Sequence, residues 1–112
     1  MRREDVKEIE LFPGIRAKIL LYGENLMLSL VEMSPGLVAP MHSHPHEQVT
    51  SCLKGMAEVK TDEGGRVVKE GDFILFTSNE RHEIKVIGDE KTVFLDVFSP
   101  PREEYIKKAE GK

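Results

Sequence analysis

The chain has 112 residues, of which 39% are apolar and 32% charged, and its formal net charge is -4. One domain spanning residues 1–112 accounts for this length, and the acidic balance disfavours nucleic acid as a partner. No apolar run is long enough to cross a bilayer, the N-terminus lacks an export signal and the single Cys52 allows no internal disulfide, so we expect a cytoplasmic protein without a membrane partner.

Short strands separated by turns make up most of the chain. Between residues 15 and 33, apolar residues alternate with polar ones and then run on after Gly23, a pattern that predicts a hairpin. The further predicted strands span 49–53, 73–76, 84–87 and 93–98. Residues 102–108 are helix formers and predict about two helical turns. This order predicts an all-β fold, an antiparallel barrel of about eight strands with a short C-terminal helix, and a jelly roll is the leading arrangement.

The N-terminal segment from Val6 to Leu11 is a candidate for contact with a second copy of the chain. Unpaired backbone groups at the edge of a sheet invite further pairing. Because this segment can add to the partner's sheet and cover such an edge, the sequence predicts a homodimer.

Histidines occur in only two places, and this distribution is the main indication of function. His42, His44 and His46 form a cluster, and His82 stands alone after a polar corner. Residues two apart on an extended strand face the same side, so His42 and His44 can present their imidazoles to one ion. Pro45 interrupts the strand, and His46 is therefore not expected to join them. On this spacing alone, a surface histidine cluster without a metal is an equal alternative.

Two motifs surround these histidines. The first reads G-x5-H-x-H-x3-Q-x6-G from Gly36 to Gly55, and the second reads G-x5-T-x-N-x2-H from Gly71 to His82. Both follow the spacing of the cupin motifs, although an acidic residue usually stands where Gln48 is. The departures in the second motif are Thr77 for the usual Pro, Asn79 for the usual Gly and Val86 for the usual Asn, and they put the local turn shape in question. The chain thus resembles a single-domain cupin, which implies a jelly-roll barrel, or double-stranded β-helix.

Gln48 and Glu47 compete as the fourth ligand of a metal ion. Glu47 lies three positions after His44 and should face away from the histidines, so the spacing favours Gln48. Three imidazoles and a neutral amide leave the charge of a divalent ion uncompensated, which predicts a strong Lewis acid that attracts anions. Mn, Fe, Co, Ni, Cu and Zn all suit these ligands, and the sequence does not select one of them.

Asp96 lies between Phe94 and Phe98 on one face of the last predicted strand. If that face points inward, the carboxyl group lies in a partly apolar cavity and can act as a general acid or base. The pattern alone favours the alternative, in which Asp96 lies on the solvent face or in a salt bridge.

A closer resemblance rests on HSHPHEQ, from His42 to Gln48, and DVFSPPREEY, which begins at Asp96. These segments resemble cupins associated with pectin and alginate breakdown, which linearise unsaturated uronate monomers. The resemblance implies ring opening of a small anionic sugar acid, a 4,5-unsaturated uronate, to an open-chain keto acid. It implies one divalent metal held by His42, His44, Gln48 and His82, catalytic roles for Asp96 and Arg102, and substrate binding by Phe98 and Arg102. A metal-dependent dioxygenase and a non-catalytic sugar-acid-binding cupin are the alternatives.

Overall fold

The computed structural model describes residues 6–111. Ten strands and one helix make up this part of the chain. The strands are β1 (Lys7–Phe12), β2 (Ile15–Tyr22), β3 (Met27–Met33), β4 (Val38–His42), β5 (Glu47–Lys54), β6 (Met56–Thr61), β7 (Gly64–Lys69), β8 (Phe73–Phe76), β9 (His82–Val86) and β10 (Thr92–Ser99), and the helix is α1 (Glu103–Ala109).

The strands form two antiparallel sheets that face each other. The larger sheet has the order β1-β2-β3-β10-β5-β8, and the smaller one has the order β4-β9-β6-β7. The predicted jelly-roll fold is confirmed, with ten strands in place of about eight. One additional strand is β4, which contains Pro40; it lies at a sheet edge, where a residue without a backbone N–H is tolerated. The N-terminal segment forms another, β1, and residues 56–69, for which no strand bounds were predicted, form β6 and β7.

Side chains from alternate positions of the strands fill the space between the sheets. In β10 every second residue is buried, and the buried set is Thr92, Phe94, Asp96 and Phe98. The corner between β5 and β6 requires a glycine, because a Cβ atom on Gly55 would lie 2.3 Å from Thr92 Oγ1 and the residue has a φ of +86°. This close approach brings the start of β10 against the end of β5.

The first strand and the C-terminal helix lie close to each other, and Lys108 Nζ of α1 donates to Glu10 O of β1. The helix α1 begins one residue after the predicted start, and its Tyr105 is buried while Ile106 packs against the core. The segment predicted to add to a partner's sheet forms the edge strand β1, which pairs on one side with β2 of its own chain, as in the pairing of Ile9 with Ala17. Within residues 6–111, no helix has the length and apolar character needed to cross a membrane.

Candidate metal centre

Three histidines converge at one end of the barrel. His42 ends β4 and pairs in register with His82, the first residue of β9, and their ring centroids lie 4.3 Å apart. His44 follows in the loop after β4. The three residues can each offer one ring nitrogen such that these atoms lie within 4.8 Å of one another. A group of this kind is positioned to bind a metal ion. His46 lies outside the group, although its ring is 5.4 Å from that of His44.

Each of the three imidazoles is held by a backbone carbonyl two residues away. Nδ1 of His42 lies 2.8 Å from Pro40 O. The corresponding distances are 3.0 Å from His44 to His46 O and 2.9 Å from His82 to Glu80 O. A carbonyl oxygen can only accept, so the tautomer with the proton on Nδ1 satisfies each of these contacts. The Nε2 lone pairs are therefore available to a cation, the arrangement typical of metal-binding histidines.

The protein keeps two of these rings in the form that binds metals. Burial, assisted by the Arg102 charge, lowers the pKa of His44 to about 4, although a contact with Gln48 acts in the opposite direction. Burial also lowers the pKa of His82, and the ring of Phe76 stacks on that imidazole at 4.2 Å. Burial thus favours the neutral form of both rings, which is the form that binds a metal ion.

Gln48 projects inward from β5 and begins a chain of hydrogen bonds. Its Oε1 lies 2.9 Å from His44 Nε2, and its Nε2 donates to Thr50 Oγ1 at 2.8 Å. Thr50 in turn donates to Asp96 Oδ1 at 2.7 Å. Because the Thr50 proton is used by the carboxylate, its oxygen accepts from the amide. This fixes the carbonyl end of Gln48 toward the histidines.

In the tautomer with the proton on Nδ1, the contact between Gln48 Oε1 and His44 Nε2 brings two lone pairs together. The amide oxygen can only accept, and this tautomer has no proton on Nε2. A cation between the two atoms converts this repulsion into attraction. The two atoms lie 2.9 Å apart, close enough that one ion can contact both. The residues present therefore fit a metal ion.

Asp96 faces the interior, and the prediction of a solvent-exposed or salt-bridged carboxylate is wrong. Only 7% of the residue is exposed, because β10 is central in the larger sheet and this face turns toward the smaller sheet. Burial raises the pKa of the Asp96 carboxyl to about 6, against the effects of the hydrogen bond from Thr50, the Gln48 amide and the Arg102 charge. The group can thus hold or release a proton near neutral pH.

Arg102 lies at the start of α1 and is itself buried. Its guanidinium carbon lies 4.4 Å from the centroid of the Tyr105 ring and 5.1 Å from that of Phe98. Its Nε donates to Glu104, whereas no acceptor within residues 6–111 contacts its two terminal nitrogens. A rigidly held guanidinium with free terminal N–H groups is suited to a carboxylate.

These groups surround two adjoining cavities. The inner cavity, of about 50 Å³, has His42, Gln48, His82, Asp96, Phe98 and Arg102 in its lining. The outer one, of about 240 Å³, shares His42 and Arg102 and adds Glu104 and Lys108. The predicted metal, catalytic and substrate-binding residues lie around this site, with His44 buried beside Gln48.

The turn before His82 keeps its shape in spite of the motif departures. Asn79 takes a φ of 65°, the left-handed conformation that a glycine would adopt and that Asn tolerates better than most residues. Its backbone N–H donates to His44 O at 2.8 Å and joins the two histidine segments.

Two residues that position the metal ligands were not predicted from the sequence. Thr50 orients the Gln48 amide, and Phe76 supports His82. Thr50 could have been predicted, because it lies two residues after Gln48 on β5 and therefore faces the same side of the strand. For Phe76 no signal was available, because its contact joins strands from different sheets.

The sequence of the chain is similar to a known protein family and to a known protein. The family model described as the cupin domain matches residues 29–98. The chain is 33% identical over 98 residues to the pectin degradation protein KdgF of Dickeya dadantii strain 3937, and the match covers 87% of this chain and 88% of that protein.

Solved structures agree with the sequence match. KdgF from a Halomonas species superposes with a TM-score of 0.80 at 27% identity, covering 88% of this chain and 91% of that one. An RmlC-like cupin from Shewanella frigidimarina NCIMB 400 gives a TM-score of 0.82 at 21% identity, covering 94% and 99% of the two chains, and supports the fold.

Proposed function

The chain belongs to the cupin domain family and is a homologue of the pectin degradation protein KdgF, and from this premise we propose that it is a metal-dependent enzyme that opens the ring of 4,5-unsaturated uronate monomers. The product is an open-chain keto acid. The observation that carries the proposal is the single site in which a histidine set suited to a metal faces a buried carboxyl group and a buried guanidinium.

His42, His44, His82 and Gln48 are the proposed ligands of one divalent transition metal, which can be Mn, Fe, Co, Ni, Cu or Zn. Glu47 is exposed, and the inward position on β5 belongs to Gln48. When bound, the metal supplies a Lewis acid that polarises an oxygen of the substrate.

Arg102 is proposed to bind the substrate carboxylate. Its two terminal nitrogens can donate two parallel hydrogen bonds to the two oxygens of that group. The rings of Phe98 and Tyr105 hold the guanidinium in place, so little side-chain entropy is lost on binding. Phe98, which lines the inner cavity, is the proposed contact for the face of the sugar.

Asp96 is proposed to move the proton that ring opening requires. As the bond between the anomeric carbon and the ring oxygen breaks, the carboxylate takes the proton of the anomeric hydroxyl, and an aldehyde forms at that carbon. The electrons of the broken bond go to the ring oxygen and give an enolate. Return of the same proton from Asp96 to the enolate carbon then yields the ketone. The atoms of substrate and product are the same, and no oxidant is needed. A carboxyl pKa of about 6 suits a group that must both accept and return a proton.

The test is an assay with 4,5-unsaturated galacturonate. The protein is stripped of metal with a chelator, reloaded with each candidate ion in turn, and followed by the loss of the double-bond absorbance. A dioxygen electrode runs in parallel, and the product is identified by NMR. We expect loss of absorbance without dioxygen uptake, and an open-chain keto acid.

Variants separate the proposed roles in the same assay. Asp96→Asn and Arg102→Ala should lose most of the turnover, and Asp89→Asn, which changes an exposed acid, should retain it. Dioxygen uptake would instead indicate an oxygenase. A thermal shift with uronate but no product, for every metal, would indicate a binding protein, and either result would overturn the proposal.

A further inference from the structure

Ser29 places a hydroxyl group on the buried face of β3. The residue is 0% exposed, and the other inward residues of this strand are Met27, Val31 and Met33. Its Oγ atom has no hydrogen-bond partner among residues 6–111. A hydroxyl group that leaves water without gaining a partner destabilises the folded protein. The burial of this group therefore calls for an acceptor close to it.

Strand register brings Ser29 beside Asp96. Asp96 is its Cα partner on β10, and Ile19 is its partner on the other side, on β2. The next inward residues of β10, Phe94 and Phe98, are apolar. Directly opposite residues of an antiparallel pair have Cβ atoms about 4.5 to 5.5 Å apart. Rotation about the Cα–Cβ bond of Ser29 can therefore bring its hydroxyl within hydrogen-bond distance of the carboxyl group.

The Asp96 carboxyl group lies between two hydroxyl-bearing residues. On β5, Thr50 is the in-register neighbour of Asp96 and donates to its Oδ1 at 2.7 Å. On β3, Ser29 occupies the corresponding position on the opposite flank. The two oxygens of a carboxylate can accept about four hydrogen bonds between them, so the bond from Thr50 leaves room for one from Ser29.

We propose that Ser29 is a positioning residue that donates a hydrogen bond to the carboxylate of Asp96. Bonds from β3 and from β5 then hold the carboxylate from both sides and keep it aligned with the substrate proton. Ser29 lies outside the lining of both cavities, so it acts through Asp96 and not on the substrate. The role of this bond in catalysis rests on the proposed function, whereas the bond itself does not.

Urea denaturation of the metal-free protein tests whether the bond forms. Ser29→Ala removes the hydroxyl with little change in shape. If the hydroxyl bonds to Asp96, its removal leaves a buried acceptor without its donor and lowers the urea midpoint, which is the result we expect. Removal of a hydroxyl that has no partner would instead raise the midpoint or leave it unchanged, and either result overturns the proposal.

A second background identifies the acceptor. Asp96→Val removes the carboxylate and introduces a side chain that is suited to a strand. Ser29→Ala should no longer lower the urea midpoint in this background, because the acceptor is gone. An equal drop in both backgrounds would assign the hydroxyl to a different acceptor and overturn the proposal.

Turnover of the metal-loaded protein on 4,5-unsaturated galacturonate tests the role in catalysis. We expect kcat of Ser29→Ala to fall about tenfold, because the carboxylate loses its alignment. KM and metal affinity should not change, since Arg102 and the metal ligands keep their contacts. Ser51→Ala is the matched control, because Ser51 lies half-buried on the outer face of β5, opposite Leu95, and it should retain full kcat.

The two measurements separate this proposal from the proposed function. A parent protein without uronate turnover would refute the proposed function, and the urea midpoints would still decide whether Ser29 donates to Asp96. A kcat of Ser29→Ala equal to that of Ser51→Ala, in an active parent protein, would refute the positioning role alone.

Discussion

The two sides of the candidate site are built in different ways. On the histidine side, each imidazole is fixed by a carbonyl two residues away, so the local chain orients its own ligand. On the opposite side, the orientation of Gln48 depends on Thr50 and on Asp96, which is 46 residues from Thr50 in the chain. The orientation of the histidines therefore depends on short segments of the chain. The hydrogen bonds that orient the Gln48 amide form only when β5 and β10 have paired.

Removal of one imidazole should break the histidine side most severely. His82→Ala takes away a ligand and the ring on which Phe76 stacks. Loss of an outer-shell partner lowers metal affinity by roughly 100-fold at most, and we expect the loss of this ligand to cost more. Uronate turnover should disappear. Competition with a chelator measures the affinity. Retention of affinity within tenfold would contradict the assignment of His82 as a ligand.

On the opposite side, Asp96→Asn should separate proton transfer from metal binding. The asparagine oxygen can still accept the hydrogen bond from Thr50, so Gln48 keeps its orientation. The new side chain cannot take a proton, and we expect turnover to fall by about 10²- to 10⁴-fold. Metal content, measured by mass spectrometry, should stay at one ion per chain. An equal loss of metal and activity would mean that the carboxyl group is structural.

Thr50 should act through the amide, and its effect should be intermediate. Thr50→Val keeps the shape but removes the hydroxyl that holds Gln48. We expect metal affinity to fall by about 10- to 100-fold, the usual cost of losing an outer-shell partner. Thr50→Ser retains the hydroxyl and should restore most of the affinity. Cobalt absorption spectra provide a readout apart from activity, because they change when the amide leaves the ion. Identical behaviour of the two variants would rule out the positioning role.

The smallest effect is expected from the ring beneath His82. Phe76→Leu removes the stacked contact, and we expect the free energy of unfolding to fall by about 1 kcal/mol, with metal affinity lowered a few-fold. Phe94→Leu is the matched control, since Phe94 is equally buried and makes no ring contact with the histidines. It should cost similar stability, measured by urea denaturation, without any change in affinity. A change in affinity with the control would show that the effect is not specific to the stack.

The same contrast explains which features the sequence could predict. Strand alternation and motif spacing led to the jelly-roll fold and to the convergence of His42, His44 and His82, because both depend on short segments. The strand pattern alone favoured the wrong face for Asp96, whereas the family resemblance implied its place in the site. Alternation divides a strand into two faces, but only the position of β10 between β3 and β5 decides which face is inside. Thr50 was overlooked for the same reason, since its partner lies on another strand. The shape of the turn at Asn79 could not be predicted from residue types alone, because its backbone N–H bonds to His44 O, 35 residues earlier in the chain.

The most direct test of this account is the anomalous diffraction of cobalt-loaded crystals, collected at the cobalt absorption edge. We predict one ion per chain, about 2.0 to 2.2 Å from the Nε2 atoms of the three histidines and from Gln48 Oε1, with Thr50 and Asp96 still joined by their hydrogen bond. An ion bound by Glu47 or His46, or an ion from which the Gln48 amide is turned away, would contradict it.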